Sequence, residues 1–369
     1  MAPPDPAAAV PRPAQVPTRT SRATVYVASL RTEADPALYE APIGVYDRDR
    51  RNLELNIGRA CNNHCVFCVS GKAVKDERMW VPPDKAKHEV KVAFDRGCRS
   101  LGFLGGEPSI YPHLVEVTQY ARELGYTRVA LATNAMVFDN AEYARKVVEA
   151  GVTRATISFH AHTRKLEHVI TKVPNAFDRK VKAIENLLAL KREGRLPDNV
   201  SVNPVINSIN FRHLPGMVRF FARLGLDDVR FNFIRNHGNA EDDGSLCPTF
   251  TDLRPYLERI VEENEAKHRI TVTFGELPYC AMPWALHTNR ELFRRYVGEL
   301  HDYITDVAIF ASPRQPDDGL YRFNWQDSKR NDLKMKVDAC QTCRYLEPCE
   351  GVWRTYVDLH GDREIRPVR

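Results

Sequence analysis

Short apolar runs alternate with amphipathic segments along the middle of the chain. The runs predict strands at Leu53–Ile57, Ser100–Leu104, Arg128–Ala132, Ala155–Phe159, Val200–Ile206 and Val229–Ile234. The segments between them predict helices at Asp84–Asp95, Pro112–Leu124, Asn140–Ala150, Ala176–Arg192 and Leu214–Leu224. Strands that alternate with helices indicate a parallel sheet with helices outside it. The predicted fold class is therefore α/β, with the chemistry at the C-terminal ends of the strands.

The pattern changes on both sides of this segment. Downstream of Asn236 it predicts a polar linker, a helix, a strand, a second helix and a loop or hairpin, at Asn239–Thr251, Phe250–Lys267, Ile270–Phe274, Asn289–Val307 and Asp317–Asp332. Upstream it predicts short strands at Thr24–Leu30 and Ile43–Tyr46. We expect a flexible tail rich in Pro and Ala at residues 1–22, N-terminal strands at 23–50, the α/β core at 51–238 and a C-terminal region at 239–369.

Composition narrows the classes of partner. The chain has 369 residues, 43% of them hydrophobic, and no apolar run approaches the roughly 20 residues of a membrane helix. Its 53 basic and 48 acidic side chains make a mildly basic surface without the concentrated positive charge of a nucleic-acid binder. The first 22 residues lack the apolar block of a secretion signal. We therefore expect a cytoplasmic protein whose partners include neither membrane nor nucleic acid.

Three cysteines just after the first predicted strand carry the strongest chemical signal. Cys61, Cys65 and Cys68 lie within eight residues, close enough for their sulfurs to reach one soft metal centre. Three ligands are one short of the four that a cubane iron–sulfur cluster takes, so one iron would stay open to a small molecule. Zinc sites usually pair two CxxC halves, and disulfides need an oxidising compartment; both alternatives stay open here.

The CxxxCxxC spacing after an apolar strand, with Phe67 before the last Cys, resembles the radical S-adenosylmethionine (radical SAM) superfamily. The resemblance implies an open parallel (β/α)6 partial barrel with a C-terminal auxiliary-cluster extension. It also implies a 4Fe–4S cluster whose open iron binds S-adenosylmethionine, and reductive cleavage to a 5′-deoxyadenosyl radical that takes a hydrogen atom from the substrate. A flavodoxin- or ferredoxin-type reductant would supply the electron.

Further motifs follow the next predicted strands. Gly105-Gly106-Glu107-Pro108 matches the family's site for the methionine amino group, because glycines allow close backbone approach and a carboxylate can pair with an ammonium. An ordinary strand-to-helix turn is the alternative. Asn134 lies in Thr133-Asn134-Ala135, where relatives carry Thr-Asn-Gly.

The remaining cofactor contacts are less regular. Relatives carry Ser-x-Asp where this chain has Ser158 and His160, so His160 stands at the position of the ribose-binding acid. Thr171 stands where relatives often place an Arg for the methionine carboxylate. Asn203 and Asn232, on the fifth and sixth strands, can reach adenosine or substrate. His162 and His168 are ligand candidates or polar loop residues.

A second group of cysteines lies in the C-terminal region. Cys280, Cys340, Cys343 and Cys349 resemble the auxiliary-cluster extension called SPASM, or its shorter form, twitch. Trp353 stands where a further Cys of the full SPASM pattern would be, so we expect one auxiliary cluster in this region rather than two. Four cysteines can hold a second 4Fe–4S cluster for electron transfer and for shaping the pocket floor, and a zinc site is the alternative.

Two thiols lie outside these groups. Cys98 is expected in the core. Cys247, in the polar linker, is a candidate to return a hydrogen atom to a substrate radical, and Tyr279 is a candidate for radical transfer.

The resulting hypothesis is a radical SAM enzyme acting on a small polar substrate, by oxidation, epimerisation or rearrangement, in natural-product or cofactor biosynthesis. A peptide-modifying enzyme is the alternative; the roughly fifty residues before the barrel look too short and Pro-rich for a peptide-docking domain. A non-catalytic iron–sulfur scaffold or electron carrier is the alternative of another class.

Overall fold

The computed structural model describes residues 47–71, 80–241, 244–297, 303–310 and 320–369. The predicted tail and the predicted strands Thr24–Leu30 and Ile43–Tyr46 lie outside these residues.

Parallel strands and outer helices alternate through most of the chain. The strands are β1 Asp47–Asn56, β2 Ser100–Leu104, β3 Arg128–Thr133, β4 Arg154–Ile157, β5 Val200–Val202, β6 Val205–Ile206, β7 Asp228–Phe233, β8 Thr271–Gly275, β9 Tyr303–Phe310, β10 Leu320–Asn324, β11 Lys334–Met335 and β12 Val352–Trp353. The α-helices are α1 Pro83–Asp95, α2 Leu114–Leu124, α3 Ala141–Glu149, α4 Arg164–Thr171, α5 Ala176–Arg192, α6 Leu214–Arg223, α7 Phe250–Glu263, α8 Trp284–Thr288, α9 Arg290–Val297, α10 Trp325–Ser328 and α11 Arg354–His360.

One sheet holds the strands β1 to β10. Its parallel part runs in the order β9-β1-β2-β3-β4-β5-β7-β8, with β6 also on β7 and β10 antiparallel on β9. The helices cover the outside: α5, for example, buries Phe177, Ile184 and Leu187 on one face. This confirms the parallel α/β prediction and the partial-barrel fold.

Two parts of the barrel differ from the sequence prediction. The predicted helix Asn289–Val307 is wrong from Tyr303 onward, because Tyr303–Phe310 is a strand beside β1; α9 spans Arg290–Val297. With β8, which we had assigned to the C-terminal region, this strand extends the six parallel strands to eight. The predicted strand Val200–Ile206 is interrupted at Pro204, which has no backbone N–H to donate to a neighbouring strand.

The floor of the barrel is polar. Arg154 from β4 donates to Asp228 of β7 at 2.6 Å and to the backbone oxygen of Asp198 at 2.6 Å. Arg230 contacts the same aspartate at 3.1 Å, and Arg128 of β3 donates to Ser100 at 2.9 Å. These hydrogen bonds satisfy inward polar groups at the N-terminal ends of the strands, where Arg128, Arg154 and Asp228 also line the cavity inside the barrel.

Across the residues described above, no helix has the length and apolar character needed to cross a membrane.

Candidate functional site

The Cys61–Cys68 loop follows β1 and is held by two other parts of the chain. The backbone N–H groups of His64 and Val66 donate to the last carbonyls of α4, at 3.0 Å each. Asn239, which follows β7, donates from its side chain to the Cys65 carbonyl at 2.9 Å and from its backbone to the Cys68 carbonyl at 3.0 Å. The loop conformation is therefore fixed by contacts that are distant in sequence.

The three thiols of this loop are partly buried and free of disulfides. Burial is the largest cause that raises the pKa of Cys61 and of Cys65 to about 12; Glu107 contributes at Cys61, and a neighbouring thiol contributes at each. Burial likewise raises the pKa of Cys68. The Asn63 backbone N–H donates to the Cys61 sulfur at 3.4 Å. Burial without a positive charge disfavours the thiolate forms of these three cysteines. A cationic metal centre would stabilise the thiolates, and a backbone N–H already points at one sulfur, so the loop fits such a centre.

The Gly105-Gly106 turn packs directly on the backbone that leads into this loop. A side chain at Gly106 would place its Cβ 2.0 Å from the Ala60 carbonyl oxygen. The Gly106 N–H donates to the Gly58 carbonyl at 2.7 Å, and Gly105 has a φ of 124°. The glycines therefore allow this turn to approach the chain's own backbone, which sets the start of the Cys loop.

The Glu107 carboxylate is buried and connects the ends of β2 and β3. One oxygen accepts from the Ser109 backbone at 2.9 Å and from the hydroxyls of Ser109 and Thr133; the other accepts from the Asn134 backbone at 2.6 Å. Burial raises the pKa of Glu107, and these hydrogen bonds oppose the rise. The second oxygen keeps one acceptor position for a ligand.

Asn134 reaches the Cys loop from β3. Its side-chain nitrogen donates to the Asn62 side-chain oxygen at 2.6 Å and lies 4.0 Å from the Cys61 sulfur. The next residue, Ala135, has a φ of 60°, in the left-handed region that favours glycine. A left-handed residue at this position agrees with the resemblance noted in the sequence, in which Ala135 stands at the glycine of Thr-Asn-Gly.

His160 is buried at the end of β4, against the aromatic residue of the Cys motif. Its ring stands edge-on to Phe67, with 4.8 Å between the ring centroids. Its Nδ1 accepts from the Val205 backbone N–H at 3.2 Å, which makes Nε2 the protonated nitrogen of the neutral ring. Burial and the Lys180 charge hold the pKa of His160 well below its usual range. The position of the expected acid therefore carries a neutral N–H donor.

A buried ion pair that we did not predict supports this segment. Lys180 of α5 lies 2.6 Å from Glu167 of α4, and both side chains are fully buried. Lys180 also donates to the Ser158 carbonyl at 2.7 Å, and the other Glu167 oxygen accepts from the His160 backbone at 3.0 Å. The sequence feature that could have indicated this ion pair is Lys180 itself, a lysine on the apolar face of a predicted helix.

The other loop candidates occupy different places. Thr171 is buried, and its hydroxyl donates to the Glu167 carbonyl at 2.8 Å. The His162 ring lies 5.4 Å from the His213 ring. His168 is exposed in the last turn of α4. Thr171 contacts the Cys loop through its backbone carbonyl, which accepts from the His64 N–H, rather than through its hydroxyl.

Asn203 and Asn232 line the cavity inside the barrel, which has a volume of about 1240 Å³. A side chain at Gly275 of β8 would place its Cβ 2.2 Å from the Asn232 side-chain oxygen. Other cavity walls come from β1, β8 and the 325–334 segment. Leu104, Ala132 and Thr156 also line this cavity; each lies on a strand that leads into one of the motifs described above.

The four C-terminal cysteines come together around a second, smaller cavity. Cys280, Cys340, Cys343 and Cys349 all line it. The Gly351 and Val368 backbone N–H groups donate to the sulfurs of Cys349 and Cys343, each at 3.4 Å. Burial, with smaller contributions from neighbouring thiols, raises the pKa of Cys280 to about 12 and of Cys349 to about 11. Four adjacent thiols with backbone N–H donors fit a metal centre.

Tyr279 and Cys247 lie in different surroundings. Tyr279 lines both the four-cysteine cavity and the barrel cavity. Cys247 is buried in the apolar core, with its carbonyl accepting from His360 at 3.0 Å, and burial raises its pKa to about 12. Cys247 is not among the described residues that line either cavity, and its role in hydrogen-atom return stays a prediction. Cys98 is in the core, as expected.

Within the described ranges, no three Cys, His, Asp or Glu side chains form a group suited to a single metal ion, so the two groups of thiols fit a multinuclear cluster rather than one ion.

Comparison with known proteins gives a family match and a set of relatives. Residues 55–229 match the profile of the Radical SAM superfamily. A "Probable GTP 3',8-cyclase" of Saccharolobus solfataricus is 29% identical over 246 residues, covering 65% of this chain and 77% of that protein. A protein of the same name from Metallosphaera sedula is 25% identical over 245 residues, covering 65% and 75%.

Solved structures show the same fold. SuiB of Streptococcus suis, bound to its precursor peptide SuiA, has a TM-score of 0.56 at 17% identity, covering 83% of this chain and 72% of SuiB. The enzyme anSMEcpe with bound AdoMet has a TM-score of 0.58 at 14% identity, covering 86% and 92%. At these identities the likeness concerns the fold alone.

Proposed function

The chain belongs to the radical SAM superfamily and is an enzyme, and from that premise we propose that Cys61, Cys65 and Cys68 hold the 4Fe–4S cluster of a reaction on a small polar substrate. The observation that carries the proposal is the convergence of four strand ends. The Cys loop, the Gly105–Glu107 turn, Asn134 and the His160–Phe67 pair meet at the C-terminal ends of β1 to β4.

When bound, the cluster and S-adenosylmethionine supply a one-electron reductive cleavage to methionine and a 5′-deoxyadenosyl radical, which takes a hydrogen atom from the substrate to give 5′-deoxyadenosine. A flavodoxin- or ferredoxin-type protein is the proposed electron donor.

The chain's own residues bind and orient these partners. We assign the methionine amino group to the Gly105–Gly106 turn and to the free acceptor position of Glu107. We assign the adenosine to Phe67, Ser158 and His160, where the neutral Nε2–H serves as a donor in place of a carboxylate acceptor. Asn134, already bonded to Asn62, holds the loop beside this site.

We further propose a second, auxiliary 4Fe–4S cluster on Cys280, Cys340, Cys343 and Cys349. Their common cavity and the N–H donors at two of the sulfurs support it. Tyr279 lines both this cavity and the barrel cavity, which supports its assignment to radical or electron transfer between them.

The names of the relatives support the proposed substrate class. The two archaeal relatives are named for a reaction on GTP, which supports a small molecule in cofactor or natural-product biosynthesis. Peptide modification is the alternative, since the SuiB structure contains a precursor peptide, but that likeness extends to the fold alone.

Iron and sulfide analysis of anaerobically prepared protein tests the two clusters together. We expect about eight irons in the unsubstituted protein. The triple variant Cys61→Ala/Cys65→Ala/Cys68→Ala and the matched variant Cys340→Ala/Cys343→Ala/Cys349→Ala should each keep about four. About four irons with one zinc in the unsubstituted protein would make the C-terminal site a zinc site, and no iron in the N-terminal loop would refute the proposed function.

A further inference from the structure

Three side chains at the ends of neighbouring barrel strands have hydrogen-bonding capacity that the protein does not use. Asn203 follows β5, Asn232 lies on β7 and Glu276 follows β8, and all three line the barrel cavity. Among the residues that the structure describes, the side-chain amides of Asn203 and Asn232 have no hydrogen-bond partner, and Glu276 Oε2 accepts no hydrogen bond. Polar groups inside a protein are costly unless a ligand or water completes their hydrogen bonds.

Strand pairing places these side chains next to one another. The Asn232 backbone N–H donates to the carbonyl of Pro204, the residue after Asn203, at 3.1 Å. Asn232 is also the register partner of Gly275, the residue before Glu276. A Cβ at Gly275 would lie 2.2 Å from the Asn232 side-chain oxygen, so the glycine leaves room for that amide. The side chains of Asn203, Asn232 and Glu276 therefore form a polar row across three adjacent strands.

Glu276 is the charged member of the polar row, and its backbone has an unusual conformation. Its φ is 66°, in the left-handed region that residues other than glycine rarely adopt. Its carbonyl accepts from Trp353 Nε1 at 3.1 Å, which helps to hold this conformation. Strained residues of this kind are concentrated at ligand sites. The Glu276 side chain keeps 18% of its surface exposed, so it stays within reach of a ligand in the cavity.

The ionic groups beside Glu276 favour a neutral ligand. Glu276 Oε2 lies 3.1 Å from Lys334, outside hydrogen-bond geometry. Glu350 lies 2.7 Å from Lys334 and 2.6 Å from Lys329, so two lysines balance two carboxylates. An ammonium group would compete with Lys334 for Glu276, and an anionic group would meet the charge of both carboxylates. A hydroxyl group donates to a carboxylate without adding a charge.

We propose that Asn203, Asn232 and Glu276 bind the hydroxyl groups of a polyhydroxylated ring, which is either a sugar or the ribose of a nucleoside. This specifies the substrate class of the proposed function and rests on it. A hydroxyl is both a donor and an acceptor, as an amide is, and a carboxylate accepts from ribose hydroxyls in other proteins. The Trp325 indole, which also lines the cavity, offers a flat apolar wall for the C–H face of the ring.

Saturation-transfer NMR on the anaerobic holoprotein with S-adenosylmethionine tests this class. One sample contains the common aldopentoses and aldohexoses with myo-inositol, a second contains guanosine, cytidine and uridine, and a third contains the common L-amino acids. We expect a signal in the first or second sample. The dissociation constants of that probe and of its 2-deoxy or 2′-deoxy analogue are then measured for the unsubstituted protein and for each variant.

Glu276→Gln should weaken binding of the hydroxylated probe by about tenfold or more, because it removes a hydrogen bond to a charged group. The control Glu265→Gln should change binding by less than about twofold. Glu265 lines the same cavity but is already bonded to Tyr296 at 2.7 Å. Iron content of every variant shows that it is folded.

Asn203→Leu separates a ligand contact from a structural role. It should weaken binding by about threefold to tenfold, because the amide is lost as a partner of the ligand. It should leave the stability of the probe-free protein unchanged or higher, because the Asn203 side-chain oxygen has no partner to lose. Weaker binding together with a loss of stability would show that Asn203 is structural.

The two sources of the ring give different results. A signal from free sugars supports a sugar, and a signal from nucleosides alone supports a ribose, provided that the deoxy analogue binds more weakly. A signal from amino acids alone, no signal in any sample, or an unchanged dissociation constant in Glu276→Gln would overturn the proposal. Formation of 5′-deoxyadenosine by the unsubstituted protein without any probe tests the proposed function separately, so the two failures are distinguishable.

Discussion

Lys180 and Glu167 form an ion pair with 2.6 Å between Nζ and Oε1 and no exposure of either side chain. The same lysine binds the Ser158 carbonyl, and the same glutamate binds the His160 backbone N–H. The pair therefore fixes the chain on both sides of Phe159, at the strand end that presents His160 to Phe67. It connects α4, which holds the Cys loop, with α5, which covers the sheet.

Removing one member of this pair should be strongly destabilising. Lys180→Met leaves the Glu167 carboxylate buried without its cation, and we expect the free energy of unfolding to fall by about 3–5 kcal/mol. Lys182→Met is the matched control, because Lys182 lies on the exposed part of the same helix and pairs with Glu185 at 3.3 Å. It should change stability by less than about 0.5 kcal/mol. Urea denaturation measures both, and equal small effects would contradict the account.

Gly106 is expected to tolerate no side chain. Gly106→Ala brings a Cβ against the Ala60 carbonyl, so the turn or the loop must shift. We expect a loss of about 1–3 kcal/mol in stability and a loss of iron from the N-terminal loop. In Gly102→Ala the new Cβ has 3.6 Å to its nearest neighbour, Glu54, so iron content should stay unchanged. Iron retention in Gly106→Ala would show that the turn does not set the loop.

His160 predicts a pH dependence of stability. Its pKa is lowered in the folded protein, so below the usual histidine pKa of about 6.5 the unfolded chain binds a proton that the folded chain does not. The free energy of unfolding should therefore fall as the pH drops from 7 to 5, with a contribution of up to about 1.4 kcal/mol per pH unit from this residue.

The variant His160→Asn isolates that contribution. The amide oxygen of Asn can accept from the Val205 backbone as Nδ1 does, but Asn does not titrate. Urea denaturation between pH 5 and pH 7 should give a shallower slope for the variant than for the unsubstituted protein. Identical slopes would mean that His160 binds its proton equally in both states.

The fold was predictable from the sequence where the local pattern of apolar and polar residues determines the secondary structure. The helix Ala176–Arg192 and the strand Ser100–Leu104 have the bounds read from the sequence. The strand Tyr303–Phe310 was not recognised because Thr305 and Asp306 interrupt its apolar pattern, and its structure depends on pairing with β1, about 250 residues away. The helix Arg164–Thr171 was not among the predicted helices, because Glu167 reads as an exposed polar residue unless Lys180 is known to pair with it.

The candidate site also has a part that was predictable from local sequence and a part that depends on contacts between distant residues. The Cys61–Cys68 motif and the Gly105–Gly106 turn carry short-range signals that need no structure. The hydrogen bonds of Glu107 arise only when the ends of distant strands meet, so the sequence contained no pattern for them.

Formation of 5′-deoxyadenosine from S-adenosylmethionine by the chemically reduced, oxygen-free protein tests the central claim most directly. The unsubstituted protein and the control Cys98→Ala, which changes a core thiol, should form it at similar rates. Cys65→Ala should form none above background. Absence of 5′-deoxyadenosine from the iron-loaded unsubstituted protein, or its formation at an unchanged rate by Cys65→Ala, would contradict the assignment of this loop.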